Sequence, residues 1–120
     1  MRFNFEELDV WNIALDFAEK IYALSKNFPK DEMYGITLQL RRASLSISLN
    51  IAEGKGRYSN KEFKQFLFVA RGSLYETVTL MKMCLRLSYL SNKEYQDLIA
   101  DCERMQSKIG GLLSYLRSRV

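Results

Sequence analysis

The feature that most constrains the fold is the stretch from Ile36 to Arg57, in which apolar residues recur at helical spacing. One line of apolar residues takes every third or fourth position, and a second apolar line runs beside it. A helix that is apolar on two sides must contact neighbours on two sides. The stretch therefore predicts a helix inside a helical bundle. The first line is Ile36, Leu40, Ala43, Ile47, Ile51 and Gly54, and the second is Leu38, Leu45, Leu49 and Ala52.

Three further segments with a helical period surround this stretch, and the connections between the segments are short. Short connections place consecutive helices antiparallel to one another. The sequence therefore predicts a single all-α domain over residues 1–120, folded as an up-down-up-down antiparallel four-helix bundle. The predicted helices cover about 5–26, 33–55, 60–89 and 92–117.

Local signals set the predicted helix ends. The first helix ends just before Pro29, because the residue that precedes a proline avoids helical geometry. Ser59 with Glu62, and Ser91 with Glu94, predict capping boxes at the starts of the third and fourth helices.

Glycines mark two other places. Gly54 and Gly56 predict the end of the second helix, because glycine readily adopts the left-handed conformation found at helix C-termini. Gly110 and Gly111 interrupt the last helix, where each costs roughly 1 kcal/mol of helix propensity relative to alanine. We expect a close helix crossing at that pair.

Composition excludes several classes of function. The chain has no histidine, which removes the usual general base and the commonest zinc ligand. Its two cysteines, Cys84 and Cys102, lack metal-ligand spacing and fall on predicted core lines, so we expect buried, reduced thiols. We expect no metal site and no cofactor.

The chain also lacks the signals of a membrane or secreted protein. No apolar run approaches the roughly 20 residues that a membrane span requires. The acidic Glu6 and Glu7 come too early for a secretion signal. We expect a cytoplasmic protein with no membrane partner.

Charge is distributed unevenly along the chain, whose formal net charge is +4. Residues 1–33 contain four basic and seven acidic residues, whereas residues 34–90 contain nine basic and three acidic residues. This asymmetry favours an anionic partner for the middle two helices. The alternative is that acidic and basic helices complement each other within the bundle.

A polar line follows the same predicted helix and has two interpretations. In the first it joins polar residues of the third helix in a structural network that fixes helix register. Burial would then make Glu53→Ala cost about 3–5 kcal/mol. In the second interpretation Arg42, Asn50 and Glu53 form an active site with Ser73 and Glu76. A lone glutamate paired to arginine is held ionised, so we predict no catalytic residue and no enzymatic activity. The network residues are Gln39, Arg42, Ser46, Asn50, Glu53, Ser73 and Glu76.

A group of outward basic residues near the connection between the second and third helices predicts a surface for nucleic acid. Tyr58 lies among them and could stack on a base. The alternative is an ordinary solvated, charged surface. The candidate nucleic-acid-binding residues are Arg41, Lys55, Arg57, Tyr58, Lys61, Lys64 and Arg71.

The first two predicted helices each carry more apolar residues than one bundle core needs. The surplus predicts self-association, because monomers rarely expose large apolar patches. We expect helices 1 and 2 to form the interface between protomers. The surplus residues are Val10, Phe17, Leu24, Leu38, Leu45 and Leu49.

Several blocks of the sequence resemble the four-helix-bundle proteins encoded in 23S rRNA intervening sequences, a family similar to the accessory variability determinant of diversity-generating retroelements. The resemblance covers nearly the whole chain, and the segment from Arg41-Arg42-Ala43 to Asn50-Ile51-Ala52-Glu53-Gly54 is its most specific part. The other matching residues are Leu8, Trp11, Tyr22, Phe28-Pro29, Glu32, Gln39-Leu40, Ser46-Ile47, Gly56-Arg57, Gly72-Ser73 and Glu76.

This resemblance implies a four-helix protomer, a ring-shaped homopentamer and binding of RNA or DNA. It does not imply an activity, because the rRNA-encoded members have no settled biochemical role. Two functions follow as alternatives. The first is a non-enzymatic oligomer that binds nucleic acid through backbone contacts. The second is an assembly or adaptor protein whose ring recruits another protein.

Overall fold

Four antiparallel helices form the molecule in the computed structural model, which describes residues 2–119. Each helix packs against the next in sequence, and the last closes the arrangement by packing against the first. The all-α four-helix bundle predicted from the sequence is confirmed. The helices are α1 (Asp9–Ser25), α2 (Ile36–Lys55), α3 (Asn60–Arg86) and α4 (Asn92–Arg117).

Two helices begin later than predicted. Residues before α1 form a 3-10 turn, Asn4–Glu7, in which the Phe5 ring packs 4.9 Å from the Trp11 ring and folds the chain end against the bundle. A second 3-10 turn, Lys30–Glu32, precedes α2. Gly35 is the N-cap of α2. A Cβ at Gly35 would lie 2.8 Å from Glu32 Oε1, the end of a flexible side chain that would have to shift.

α3 ends earlier than predicted, at Arg86. Ser88 adopts a φ of 63°, which takes the chain out of helical geometry. The Tyr89 hydroxyl then donates a 2.8 Å hydrogen bond to Glu32 Oε2. This contact ties the connection between α3 and α4 to the connection between α1 and α2, at one end of the bundle.

The first apolar line of α2 lies in the core as predicted, and Leu40, Ile47 and Ile51 have no exposed surface. In α1 the structure corrects the prediction of surplus residues. Val10 and Phe17 are core residues, because the seam that contains them faces the centre of the bundle. Leu15 and Tyr22 of α1 are exposed instead, whereas Ala18 between them is buried. Leu24 is half-buried against the core, whereas Leu38 and Leu45 of α2 are half-buried and Leu49 is exposed.

The predicted end of α2 is confirmed, because the helix ends at Lys55 and Gly56 is its C-cap. The predicted left-handed conformation is wrong, because Gly54 lies inside the helix and Gly56 keeps a right-handed φ of −82°. Gly54 is instead required by packing, because a Cβ there would lie 2.6 Å from Phe66 Cβ on α3. At Gly110 and Gly111 a Cβ would meet nothing within 4 Å, so no close helix crossing occurs there.

The helix caps are largely as predicted. Ser91 and Glu94 form a complete capping box at the start of α4. At the start of α3 the Ser59 side chain accepts a hydrogen bond from the Glu62 backbone N–H, but the reciprocal contact from Glu62 is not formed.

Both cysteines are free and buried, as predicted. Burial raises the pKa of the Cys84 thiol to about 11 and that of the Cys102 thiol to about 12, so both thiols are protonated at neutral pH. Among the residues that the structure describes, no helix has the length and hydropathy of a membrane span.

Candidate nucleic-acid interface

The short connection between α2 and α3 carries the most exposed part of the predicted surface. The Tyr58 side chain is fully exposed in this connection and contributes nothing to the core. Lys61 is exposed in the first turn of α3, and Lys64 lies one turn further on, partly exposed. Within residues 2–119 neither lysine forms an ion pair with a carboxylate. These three residues can therefore contact an anionic ligand without first breaking an internal contact.

Two further cations of the predicted surface rest on aromatic rings of α3. The Lys55 ammonium lies 5.7 Å from the centre of the Phe63 ring, and the Arg57 guanidinium lies 4.7 Å from the centre of the Phe66 ring. Arg57 also forms a 2.7 Å ion pair with Glu53, one helical turn earlier. The charge of Arg57 is therefore partly balanced, whereas its orientation is fixed by the ring beneath it.

Arg41 does not belong to this cluster. It lies 14 residues before Lys55 on α2, about 21 Å along the helix axis. Its Nε donates a 2.8 Å hydrogen bond to Ser25 Oγ, and its guanidinium lies 4.9 Å from the centre of the Tyr22 ring. Arg41 thus joins α2 to the end of α1, and the prediction that placed it at the α2–α3 connection is wrong. Two basic residues of one long helix can therefore lie too far apart along its axis to form a single site.

Arg71 is also separated from the connection. It lies ten residues after Lys61, about 15 Å along α3. Its guanidinium lies 5.1 Å from the centre of the Phe68 ring, on the outer surface of that helix.

Only part of the predicted polar network is formed. Ser73 of α3 donates a 3.0 Å hydrogen bond to Ser46 Oγ on α2. Asn50 Nδ2 donates to the same hydroxyl oxygen at 2.9 Å and to the Ser46 carbonyl at 2.8 Å. These three neutral side chains link α2 to α3 and satisfy one another at a half-buried position.

The charged members of the predicted network lie outside it. Gln39, Arg42 and Glu76 are exposed, and no hydrogen bond joins them to another described residue. The Glu53 side chain is 55% exposed and pairs with Arg57 alone. The predicted buried network of seven residues is therefore corrected to a three-residue contact, and Arg42, Asn50 and Glu53 do not converge on one site.

Comparison with known proteins gives the family. The family model described as 23S rRNA-intervening sequence protein matches residues 6–111, most of the chain. The chain belongs to this family. A solved structure from Bacteroides thetaiotaomicron, of a protein with unknown function from the S23 ribosomal protein family, superposes with a TM-score of 0.81 at 23% identity. The match covers 87% of this chain and 97% of that one, and it supports the bundle fold. No curated protein matches the sequence.

The bundle also brings together residues that the sequence alone did not predict to be neighbours. Asn60 Nδ2, at the start of α3, donates a 3.1 Å hydrogen bond to the Arg119 carbonyl, after the end of α4. The basic residues at the end of the chain therefore lie beside the α2–α3 connection. The antiparallel topology was the available signal, because the end of a fourth helix must return to the connection between the second and third.

A second feature that the sequence did not predict is a set of buried hydroxyl residues on α2. Thr37, Ser44 and Ser48 are buried on the side of α2 that faces α1. The Ser44 and Ser48 hydroxyls donate to the carbonyls of Arg41 and Leu45 within the helix. Thr37 Oγ1, by contrast, has no hydrogen-bond partner among the described residues. In the sequence, the two buried serines are indistinguishable from surface serines.

Proposed function

We propose that this protein is a non-enzymatic, cytoplasmic, oligomeric bundle that binds RNA or DNA through contacts with the phosphate backbone. The observation that carries the proposal is the cluster at the α2–α3 connection. There Lys61 and Lys64 have no carboxylate partner among residues 2–119, and the Tyr58 ring is fully exposed beside them. Unpaired cations with an exposed ring are typical of surfaces that hold a strand without reading its sequence.

The charge distribution supports the same function. Residues 34–90 carry nine basic and three acidic residues, a formal charge of +6, whereas residues 1–33 carry four basic and seven acidic residues, a formal charge of −3. The acidic segment nevertheless reaches the end of α2, where Asn4 Nδ2 donates a 3.3 Å hydrogen bond to the Lys55 carbonyl. The cations of α3 are therefore the main contacts for an anionic ligand. The family's similarity to the accessory variability determinant of diversity-generating retroelements, a protein that binds nucleic acid, also supports nucleic acid as the ligand.

Purification in high salt, with and without nuclease, tests binding directly. We expect protein from low-salt lysates to carry nucleic acid, and nuclease or high salt to lower its 260/280 nm absorbance ratio. Arg57→Glu with Lys61→Glu should weaken binding to all sequences alike. The matched control is Lys93→Glu with Lys108→Glu, which makes the same charge change on α4. A protein-like ratio under every condition would contradict the proposal.

The oligomer is proposed from the exposed apolar residues between α1 and α2. Leu15 and Tyr22 of α1 lie with Leu45 of α2 along one groove. Leu49, which is 59% exposed, continues the outward line of α2. Burying each large side chain favours association by roughly 1.5–3 kcal/mol before ordering costs. The resemblance to the family supplies the number five for the ring.

Light scattering and native mass spectrometry test the oligomer. We expect a mass several times the 14.0 kDa of one chain. Leu49→Glu should shift the mass towards one chain without unfolding, because the side chain is already exposed. Tyr34→Glu is the control, since Tyr34 is 90% exposed and does not line this groove. A single-chain mass for the unmodified protein at micromolar concentration would contradict this part of the proposal.

A second candidate function is an assembly or adaptor protein that recruits another protein. The observation that favours it is a set of exposed apolar residues on the other side of α3. Val69 and Met83 are each about half exposed, and their spacing places them on one side of α3. Leu87, directly after the end of α3, is also about half exposed. They remain uncovered when the groove between α1 and α2 is filled. Retention of a specific protein by an oligomer free of nucleic acid would favour this function.

A further inference from the structure

One outward line of α3 combines cations with aromatic rings along most of the helix. Its members recur at spacings of three, four and seven residues, so they share one side of the helix. From first to last they span 22 residues, about 33 Å. We call this line the basic-aromatic stripe. It consists of Lys64, Phe68, Arg71, Tyr75, Lys82 and Arg86.

Contacts with α4 fix the position of the stripe on the molecule. Gln106 Nε2 of α4 donates a 3.1 Å hydrogen bond to the Tyr75 hydroxyl. The Lys82 ammonium lies 5.0 Å from the centre of the Tyr95 ring, also on α4. The stripe therefore runs along the α4 side of α3. Because α1 packs against α2 and α4, this face is opposite the groove between α1 and α2.

The cations of the stripe are not balanced by nearby carboxylates. In the described part of the chain, none of its four basic residues takes part in an ion pair. The two acidic residues of α3, Glu62 and Glu76, lie at helical positions on the α2 side. Glu103 of α4 lines the neighbouring groove with Tyr75 and Gln106, but it forms no ion pair with the stripe. The stripe thus carries four cations without an ion pair in the described residues, and Glu103 borders it beside Tyr75.

The two rings of the stripe are exposed and held in place. Phe68 is 50% exposed and Tyr75 is 51% exposed. The Arg71 guanidinium packs on the Phe68 ring, and the hydrogen bond from Gln106 holds the Tyr75 hydroxyl. Seven residues separate the rings, so they lie about 10 Å apart along the axis. Half-exposed aromatic residues within a positive groove or line provide platforms on which bases stack.

We infer that the basic-aromatic stripe binds single-stranded nucleic acid, with bases stacked on Phe68 and Tyr75 and phosphates on the four cations. This inference rests on the proposed function and specifies its ligand. A duplex keeps its base faces stacked internally and offers the rings nothing, so the stripe selects single strands. Stacking tolerates any base, because every base has an aromatic face.

Binding of a labelled oligouridylate of roughly 20 nucleotides, longer than the stripe at about 3.4 Å per nucleotide, tests the inference by fluorescence anisotropy. Phe68→Ala and Tyr75→Ala should each weaken binding by about 5- to 150-fold. Binding of a duplex of the same length should change little. The control is Tyr34→Ala, which removes a ring that is 90% exposed in the connection between α1 and α2, away from both rings of the stripe and from the α2–α3 connection.

The charge contribution has its own matched pair of variants. Lys82→Ala with Arg86→Ala should reduce the salt dependence of binding by about 0.7 for each phosphate that the variant no longer neutralises. Lys93→Ala with Lys108→Ala makes the same charge change at lysines already paired with Asp97 and Asp9, and it should leave the slope unchanged. Circular dichroism and light scattering check that each variant keeps its fold and mass.

The outcomes separate this inference from the proposed function. Failure of the unmodified protein to bind any nucleic acid overturns both. Binding that survives Phe68→Ala and Tyr75→Ala but is abolished in Arg57→Glu with Lys61→Glu overturns the stripe alone. Equal competition by polyglutamate would show that the stripe takes an acidic polypeptide. Dissociation of the oligomer by either ring variant would show that a second copy covers it. Each of these last two results overturns the inference.

Discussion

The pair α2–α3 and the pair α1–α4 are held together in different ways. α2 and α3 make the more extensive contact, through Gly54 and the neutral hydrogen bonds of Ser46 and Ser73. α1 and α4 make a smaller contact that two ion pairs bridge, Lys20 with Asp101 at 2.7 Å and Lys108 with Asp9 at 3.5 Å.

This difference explains where free positive charge is found. Charged residues of α1 and α4 are used to join those helices, and Arg104 and Lys93 of α4 also contact carboxylates. The close approach of α3 to α2 needs no charge. All five basic residues of α3 are consequently without an ion pair among the described residues. The way a helix packs decides whether its charges are available to a ligand.

The largest expected effect comes from breaking the close contact of α2 with α3. Gly54→Ala would place a Cβ 2.6 Å from Phe66 Cβ and 3.0 Å from Phe63 Cδ1. Overpacking of this kind costs about 1–3 kcal/mol, measured as the free energy of unfolding in urea. Gly72→Ala is the control, because a Cβ there meets nothing within 4 Å and should stabilise α3 by about 0.5–1 kcal/mol. Equal stability of the two variants would contradict the close contact.

A smaller effect is expected from breaking the contact of α1 with α4. Asp101 is 8% exposed and accepts a hydrogen bond from Lys20. Asp101→Asn keeps the shape but removes the charge, and it should cost about 1.5 kcal/mol, limited because the Lys20 side chain is 55% exposed. Asp97→Asn, at an exposed ion pair, should cost less than about 0.5 kcal/mol. A smaller loss at Asp101 than at Asp97 would show that the bridge contributes nothing.

The two buried thiols report how well water is excluded from the pair α2–α3 and from the pair α1–α4. Cys84 belongs to α3 and Cys102 to α4, with pKa values raised from 9.0 to about 11 and about 12. A raised pKa in the folded state means that the thiol contributes its full stability below pH 9 and loses it as pH rises towards the folded pKa. The loss is roughly 1 kcal/mol per thiol one pH unit above 9.

Single alanine variants isolate these contributions. The stability difference between the unmodified protein and Cys102→Ala should decline from pH 9 towards 12, and the difference for Cys84→Ala should level off about one unit lower. Chemical denaturation across this pH range measures both. A difference that does not change with pH would show that the thiols are already open to water.

The sequence predicted the bundle, the first core line of α2 and, in outline, the N-caps of α3 and α4, because helical period and capping are local properties. It failed where packing partners decide the outcome. Which side of α1 faces inward depends on the other three helices, so Phe17, predicted to be a surplus residue, lies in the core, and Leu15 is exposed. Gly54 was predicted to lie at a helix end because the sequence does not show that Phe66 of α3 packs against it. Arg41 was grouped with Lys61 because both are basic, although Arg41 lies far from Lys61 along the axis of α2.

The smallest expected effect on stability concerns Glu53, for which the interpretation as a buried charge predicted a large one. Its side chain is 55% exposed and forms an i,i+4 ion pair with Arg57, a type worth about 0.3–0.5 kcal/mol. A negative charge near the C-terminal end of α2 is also unfavourable with the helix dipole, which offsets part of that gain. Glu53→Ala should therefore change the free energy of unfolding by less than about 0.5 kcal/mol. A loss of about 3 kcal/mol would restore the buried network.

The same substitution should have a clearer effect on binding. Without Glu53, Arg57 stays on the Phe66 ring but loses its carboxylate, so the α2–α3 connection gains one free cation. The salt dependence for single strands should then rise by about 0.7. Glu76→Ala is the matched control, because it removes an exposed acidic residue of α3 that forms no ion pair within residues 2–119. If both variants raise the slope equally, net charge alone governs binding. If only Glu53→Ala raises the slope, the ion pair between Glu53 and Arg57 limits binding. Such a result would support the distinction between paired and free cations.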